Sequence, residues 1–212
     1  MPAATPGAPG RAGNVPRTSG AYCRVVLAEL LAHDGVTERC ALRSPFGFMA
    51  IHGGSLERGT AEVACAAADA AGASIYAIEQ PEDFRWHLPS HLVSPDASPA
   101  LASFLAHVDV VVSVHGYGRE GYWTRVLLGG GNRALAGELS RHLAAALPDF
   151  EMIDDLDAIP DGLRGLHPTN PANLARRGGV QLELPPRVRG LGPRGTPEMR
   201  DELVAALAAF AA

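Results

Sequence analysis

Val108-Asp109-Val110-Val111-Val112-Ser113-Val114, followed at once by His115-Gly116, is the stretch on which the fold turns. Its residues are β-branched almost throughout, and such side chains favour the extended backbone. A strand is therefore expected over 108–114. It is also apolar at nearly every position instead of alternating, which is the pattern of a strand covered on both faces. A sheet buried on two sides needs a layer of helices on each, so this segment alone points to a three-layer arrangement.

Working outward, further extended segments read at Arg39–Arg43, Phe48–Ile51, Ser74–Ile78, Tyr122–Leu128 and Val180–Leu184. Helical segments alternate with them. Ala21–His33 carries apolar positions at Val25, Val26, Leu30 and Leu31. A second helix runs from Thr60, a natural N-cap, to a stop at Gly72. Others cover Leu101–Ala106 and Asn132–Leu147, and the last begins at Thr196 with Pro197 at its first position. Residues 80–100, rich in Pro and Ser, read as a long loop of the kind that often carries function. The expected fold is a single α/β domain, three-layer α/β/α, with a mixed, mostly parallel central sheet. Residues 1–20, dominated by Pro, Gly and Ala, read as a disordered tail, and 21–212 as the domain.

Composition narrows the chemistry. All 18 basic residues are Arg, which excludes a lysine Schiff base or lysine base. The net charge of −5 gives no support to nucleic acid or an anionic membrane as partner. Cys23, Cys40 and Cys65 form no CxxC pair, so a metal site is expected to use His and carboxylates. No secretory signal or transmembrane run is read, and a cytoplasmic monomer is the default expectation.

Three segments carry candidate chemistry. In Ile51-His52-Gly53-Gly54-Ser55-Leu56-Glu57 a histidine leaves a buried strand, and two glycines let the chain turn so that a carboxylate can fold back toward it. The pair alone reads equally well as a loop histidine and a solvated glutamate. In Val114-His115-Gly116 a second strand ends in His-Gly. Two His and one Glu form a known catalytic zinc set, although these ligands do not fix the metal's identity. In Gly179-Val180-Gln181-Leu182-Glu183-Leu184, Gln181 and Glu183 share one face, and Glu183 is costly among apolar neighbours unless paired or hydrated. It is the candidate general base.

These segments resemble the poly-γ-glutamate hydrolase family. The matching stretches are IHGGSLERGTAEVA, WHLPSHLVSP, VVSVHGYGRE, LLGGGNRALAGELSRHL and PANLARRGGVQLELPPRVR, within residues 21–190. The resemblance implies a fold like that of zinc carboxypeptidases, with zinc on His52, Glu57 and His115. It implies Glu183 as general base and hydrolysis of γ-glutamyl amides, polymeric or small, by a metal-activated water; the alternatives are a zinc-dependent deacylase of small N-acyl amino acids, which uses the same ligands and base, and a non-catalytic binding domain of the same fold. Zinc carboxypeptidases carry His-x-x-Glu, whereas four residues separate His52 from Glu57 here. For an anionic substrate the candidates are Asn132 and Arg133 at a helix start, where backbone N–H groups favour anions. Arg189 matches an arginine that recurs after the QLEL stretch, and Asn173 matches the family's asparagine in the last stretch. His87 and His91, with Ser90, match a His-x-x-Ser pattern of the loop. Tyr117 is a further candidate for a substrate hydrogen bond. No role is read for His33, His107, His142 or His167.

Overall fold

The structure, a computed structural model, describes residues 19–212. The tail expected over 1–20 lies outside the described residues as far as residue 18, while Ser19 and Gly20 open the first helix. In chain order the elements are α1 (Ser19–Leu31), β1 (Thr37–Ala41), β2 (Ser44–Gly54), α2 (Thr60–Ala71) and β3 (Ala73–Gln80). They continue with α3 (Pro99–His107), β4 (Val110–Gly116), β5 (Arg125–Leu128), α4 (Arg133–Ala146), β6 (Glu151–Ile153), β7 (Gly179–Leu184) and α5 (Pro197–Ala211). No described helix is long and apolar enough to cross a membrane.

One seven-stranded sheet runs in the order β1-β3-β2-β4-β7-β5-β6. The ladders β3–β2, β2–β4, β4–β7 and β5–β6 are parallel, and β1–β3 and β5–β7 are antiparallel. The sheet is thus mixed and mostly parallel, as expected. Alternation along the central strands sorts side chains to two cores. Phe48, Ala50, Val112, Val114, Val180, Leu182 and Leu184 pack with α2, α4 and α5. Met49, Ile51 and Val111 pack on the other face with α1, α3 and the segment around Leu88 and Val93. Each fully buried Phe or Leu in these layers stabilises the fold by about 1.5–3 kcal/mol relative to exposure.

Some boundaries differ from the expected ones for local reasons. β4 starts at Val110 and not at Val108, because the Val108 N–H closes α3 on Phe104 and the Asp109 N–H donates to the Pro45 carbonyl (2.7 Å). Thr60 is not an N-cap: Gly59, at φ +84, takes that place, and the Thr60 hydroxyl donates back to the Glu57 carbonyl (2.7 Å). In α1 the buried face is Val26, Leu27 and Leu30, and Val25 is 55% exposed. Strand β6, a three-residue half-exposed edge, has too little alternation to be read from sequence. Ser98, Asn132 and Thr196 each cap a helix through a side-chain oxygen, at α3, α4 and α5.

Gly54 shows why two glycines follow His52. Its φ is +71, and a Cβ there would collide with the Gln80 carbonyl oxygen of β3. Gly54→Ala combines left-handed strain with a backbone clash, so it should destabilise the fold by about 3 kcal/mol or more. A loss of unfolding free energy, read from denaturant melts, of less than a third of that amount would show that the turn relaxes freely.

Candidate active site

The parallel strands β2, β4 and β7 end side by side, and polar side chains gather beyond the carboxyl ends of such strands. The face of the sheet that carries Ser113, His115, Gln181 and Glu183 is the one opposite α2, α4 and α5, because their neighbours Val112, Val114, Leu182 and Leu184 point into that helical layer. Beyond the part of this face that α1 and α3 cover, loops close over the strand ends and leave a cavity of about 520 Å³. His52, Glu57, His87, Ser90, His91, His115, His167, Asn170, Gln181 and Glu183 are among the residues that line it.

The first segment closes by a local turn. The Glu57 N–H donates to the His52 carbonyl (2.9 Å), which brings the carboxylate back over the ring it left five residues earlier. Glu57 Oε1 then lies 2.9 Å from His52 Nδ1. Glu57 Oε2 accepts from the Gly116 N–H (2.8 Å) and lies 3.5 Å from His115 Nδ1. The two imidazoles meet edge to face, with centroids 5.1 Å apart. One ligand atom from each of His52, Glu57 and His115 falls within 4.8 Å of the others, and no other group of this kind occurs among the described residues.

The far nitrogens are held as well. His52 Nε2 lies 2.8 Å from the Leu88 carbonyl oxygen, which can only accept, so this nitrogen carries a proton. His115 Nε2 lies 2.9 Å from the Ser113 hydroxyl. In neutral His52 the Nδ1 lone pair therefore faces a carboxylate oxygen at 2.9 Å, an arrangement of two acceptors that needs a cation between them. A proton or a metal ion serves, and outer partners that fix the far nitrogen are the usual companions of metal-binding histidines. The residues fit a divalent ion.

Electrostatics agree. Burial alone would push the Glu57 carboxyl up in pKa, but His115 and His52 beside it hold it well below the ordinary carboxylate range. Burial favours neutral His115, yet Glu57 and Glu183 shift its pKa upward on balance. Glu183 is paired in register with His115 across β4 and β7 and is 3% exposed. Burial raises its pKa, only partly offset by His115. Its Oε1 accepts from Gln181 Nε2 (2.8 Å), and Gln181 Oε1 accepts in turn from Asn170 Nδ2 (2.7 Å). A buried carboxylate held this way beside the cluster is placed to exchange protons with a water in the cavity.

The four central candidates meet at the cavity with His87, Ser90 and His91, whereas Asn132, Arg133, Asn173, Arg189 and Tyr117 do not line it. The Arg133 guanidinium donates to the carbonyls of Leu128, Gly130 and Asp154. Asn132 caps α4 and donates to the Arg177 carbonyl. Asn173 accepts from the Gly131 N–H and donates to the carbonyls of Gly165 and His167, so it braces the cavity wall without lining it. Arg189 is buried behind Gly116 and donates to the carbonyls of Arg58 and Tyr117. The Tyr117 hydroxyl is turned toward the carbonyls of Tyr122 and Arg125. Ser113 and Gln181 belong to the site unread, although each lies two positions before a candidate on the same strand face, a signal that alternation alone supplies. Asn170 and His167, from a loop distant in sequence, gave none.

Comparison with known proteins agrees with this geometry. A solved bacteriophage poly-gamma-glutamate hydrolase superposes with a TM-score of 0.71 at 21% identity, covering 88% of this chain and 93% of that one. A zinc-free apo structure of YndL superposes with a TM-score of 0.70 at 24% identity, covering 86% of this chain and 93% of that one. No curated protein matches the chain. The family model of the poly-gamma-glutamate hydrolases matches residues 29–200, and on that match the chain belongs to the poly-gamma-glutamate hydrolase family and is a hydrolase.

Proposed function

We propose that the chain hydrolyses γ-glutamyl amide bonds, with a zinc ion held by His52, Glu57 and His115 and with Glu183 as general base. The observation that carries this reading is the convergence of two imidazole Nδ1 atoms on one carboxylate, with a buried glutamate in register beside them on the next strand. Zinc is supported by the ligand chemistry and by the YndL structure of similar fold, described as a zinc-free apo form. Bound there, a zinc ion supplies a Lewis acid that polarises the amide carbonyl and acidifies water.

The chain's own groups do the rest. Glu183, its carboxyl kept basic by burial, takes the proton of the attacking water and delivers it to the departing amide nitrogen. Gln181 holds Glu183 Oε1, which leaves the other oxygen for that exchange. The Leu88 carbonyl and the Ser113 hydroxyl keep both Nδ1 atoms turned inward. Ser113→Ala should therefore weaken zinc binding by roughly 10–100-fold while the fold persists. Competition against a chromogenic chelator reads this directly, and an unchanged affinity would remove Ser113 from the site.

The reaction is tested by incubating the zinc-loaded chain with poly-γ-glutamate, α-linked polyglutamate and N-acyl-glutamates, with and without chelator. Shortening of the γ-linked polymer alone, lost on chelation, is expected. Turnover of N-acyl-glutamates without shortening of the polymer would replace the substrate by a small acyl amino acid, and no turnover of any would overturn the reading.

A further inference from the structure

The cavity holds more imidazole than the metal cluster uses. His87, His91 and His167 line it beside His52 and His115. His91 comes from a short 3-10 turn, Ser90–Leu92, and His167 from the loop between Leu163 and Pro171. Their rings lie tilted against each other, with centroids 4.6 Å apart and planes inclined by 31°. Thr169 ties the two loops together. Its hydroxyl donates to the His91 carbonyl (2.8 Å), and its hydroxyl oxygen and backbone N lie 3.0 and 3.2 Å from His167 Nδ1. One nitrogen of His167 is thus engaged, and Nε2 is left over. Neither ring nitrogen of His91 has a partner among the described residues.

The charges around the pair sharpen the question of what it binds. The chain contains no lysine, and no arginine is among the described residues that line the cavity. The ionisable groups there other than histidine are Glu57, Glu183 and Asp161, and Asp161 is paired with Arg164 (2.9 Å). A γ-linked glutamyl chain keeps a free α-carboxylate on every residue. Such a substrate brings negative charge into a cavity that already holds acidic groups, and it needs N–H donors away from the metal. A second metal is not the better occupant, because His91 and His167 have no third ligand atom converging on them.

We infer that His91 and His167 form a carboxylate-binding subsite that receives an α-carboxylate of the γ-glutamyl substrate and so fixes the register of the chain against the metal cluster. The inference rests on the γ-glutamyl reading above for the identity of the ligand. Burial and the neighbouring His167 lower the His91 pKa, and the imidazole N–H groups of the pair are the donors that meet the carboxylate. The tie through Thr169 places the His167 ring and the His91 backbone before the ligand arrives, which limits the ordering that binding requires.

The test uses the full, zinc-loaded chain with Glu183→Gln to stop turnover. The ligands are a γ-linked glutamate trimer and the same trimer with its α-carboxylates amidated, titrated calorimetrically. The acid trimer should bind at least about tenfold more tightly than the amidated one, and His91→Gln with His167→Gln should erase that difference. Equal binding of the two trimers to the parent overturns the subsite without recourse to any further variant. So does a double variant that folds and retains the preference, or a parent that binds neither trimer. Cleavage of the acid trimer by the unmodified chain bears on the reaction alone: binding through the pair without cleavage keeps the subsite and removes the proposed hydrolysis.

Discussion

Glu183→Gln should abolish hydrolysis by about a thousandfold or more in kcat while leaving zinc content and fold intact. The substitution keeps the shape of the side chain and an oxygen able to accept from Gln181 Nε2, so the Asn170–Gln181 relay survives. What it removes is the capacity to take and return a proton. Stability should not fall. Burial raises the folded-state pKa of Glu183 above that of the unfolded chain, so ionisation costs stability. That cost is absent below the ordinary carboxylate range and complete above the raised pKa, and glutamine removes it at neutral pH. Parallel measurement of kcat, metal content and melting temperature decides the matter. A variant that retains a tenth of the activity would take Glu183 out of the reaction, and one that loses zinc would make it a structural partner of the cluster.

His52→Ala should empty the site. It deletes one converging Nδ1 and strips the Leu88 carbonyl and Glu57 Oε1 of their partner at once. Elemental mass spectrometry should find about one zinc per wild-type chain and a small fraction of that in the variant, with activity lost in proportion. Chelation of the wild type should lower its melting temperature, since an ion that binds only the folded chain stabilises it by mass action. The variant, having nothing to lose, should not respond to chelator. Equal zinc in both proteins would place the ion elsewhere, and no zinc in either after reconstitution would defeat the metal reading altogether.

Much of this site is legible in the sequence because its signals are local. His52 and His115 each end an apolar strand and precede glycine, Glu57 lies one tight turn away, and Glu183 interrupts an apolar strand it could not occupy without a partner. Arg133, Arg189 and Asn132 stand apart from the cavity. Each looks like an anion-binding group, but each gives side-chain N–H groups to backbone carbonyls. The central strands and the long helices could be read from periodicity, whereas β6 is too short to have any. His167 and Asn170 join the cavity through a loop whose path depends on the whole fold, and nothing in their neighbourhood along the chain announces it.

The strand order also bears on how the chain comes to be folded. β4 sits between β2 and β7, and β5 and β6 reach the sheet only through β7. During synthesis His52, Glu57 and His115 all emerge long before Gly179. Until β7 pairs, the run Val110–Val114 is an unpaired border of a growing sheet, apolar and β-branched, and open to strands of other nascent chains. The last strand to join the middle of the sheet therefore carries the proposed base and also closes an apolar, β-branched edge. A chain cut short before residue 179 would keep every proposed metal ligand and be both inert and sticky.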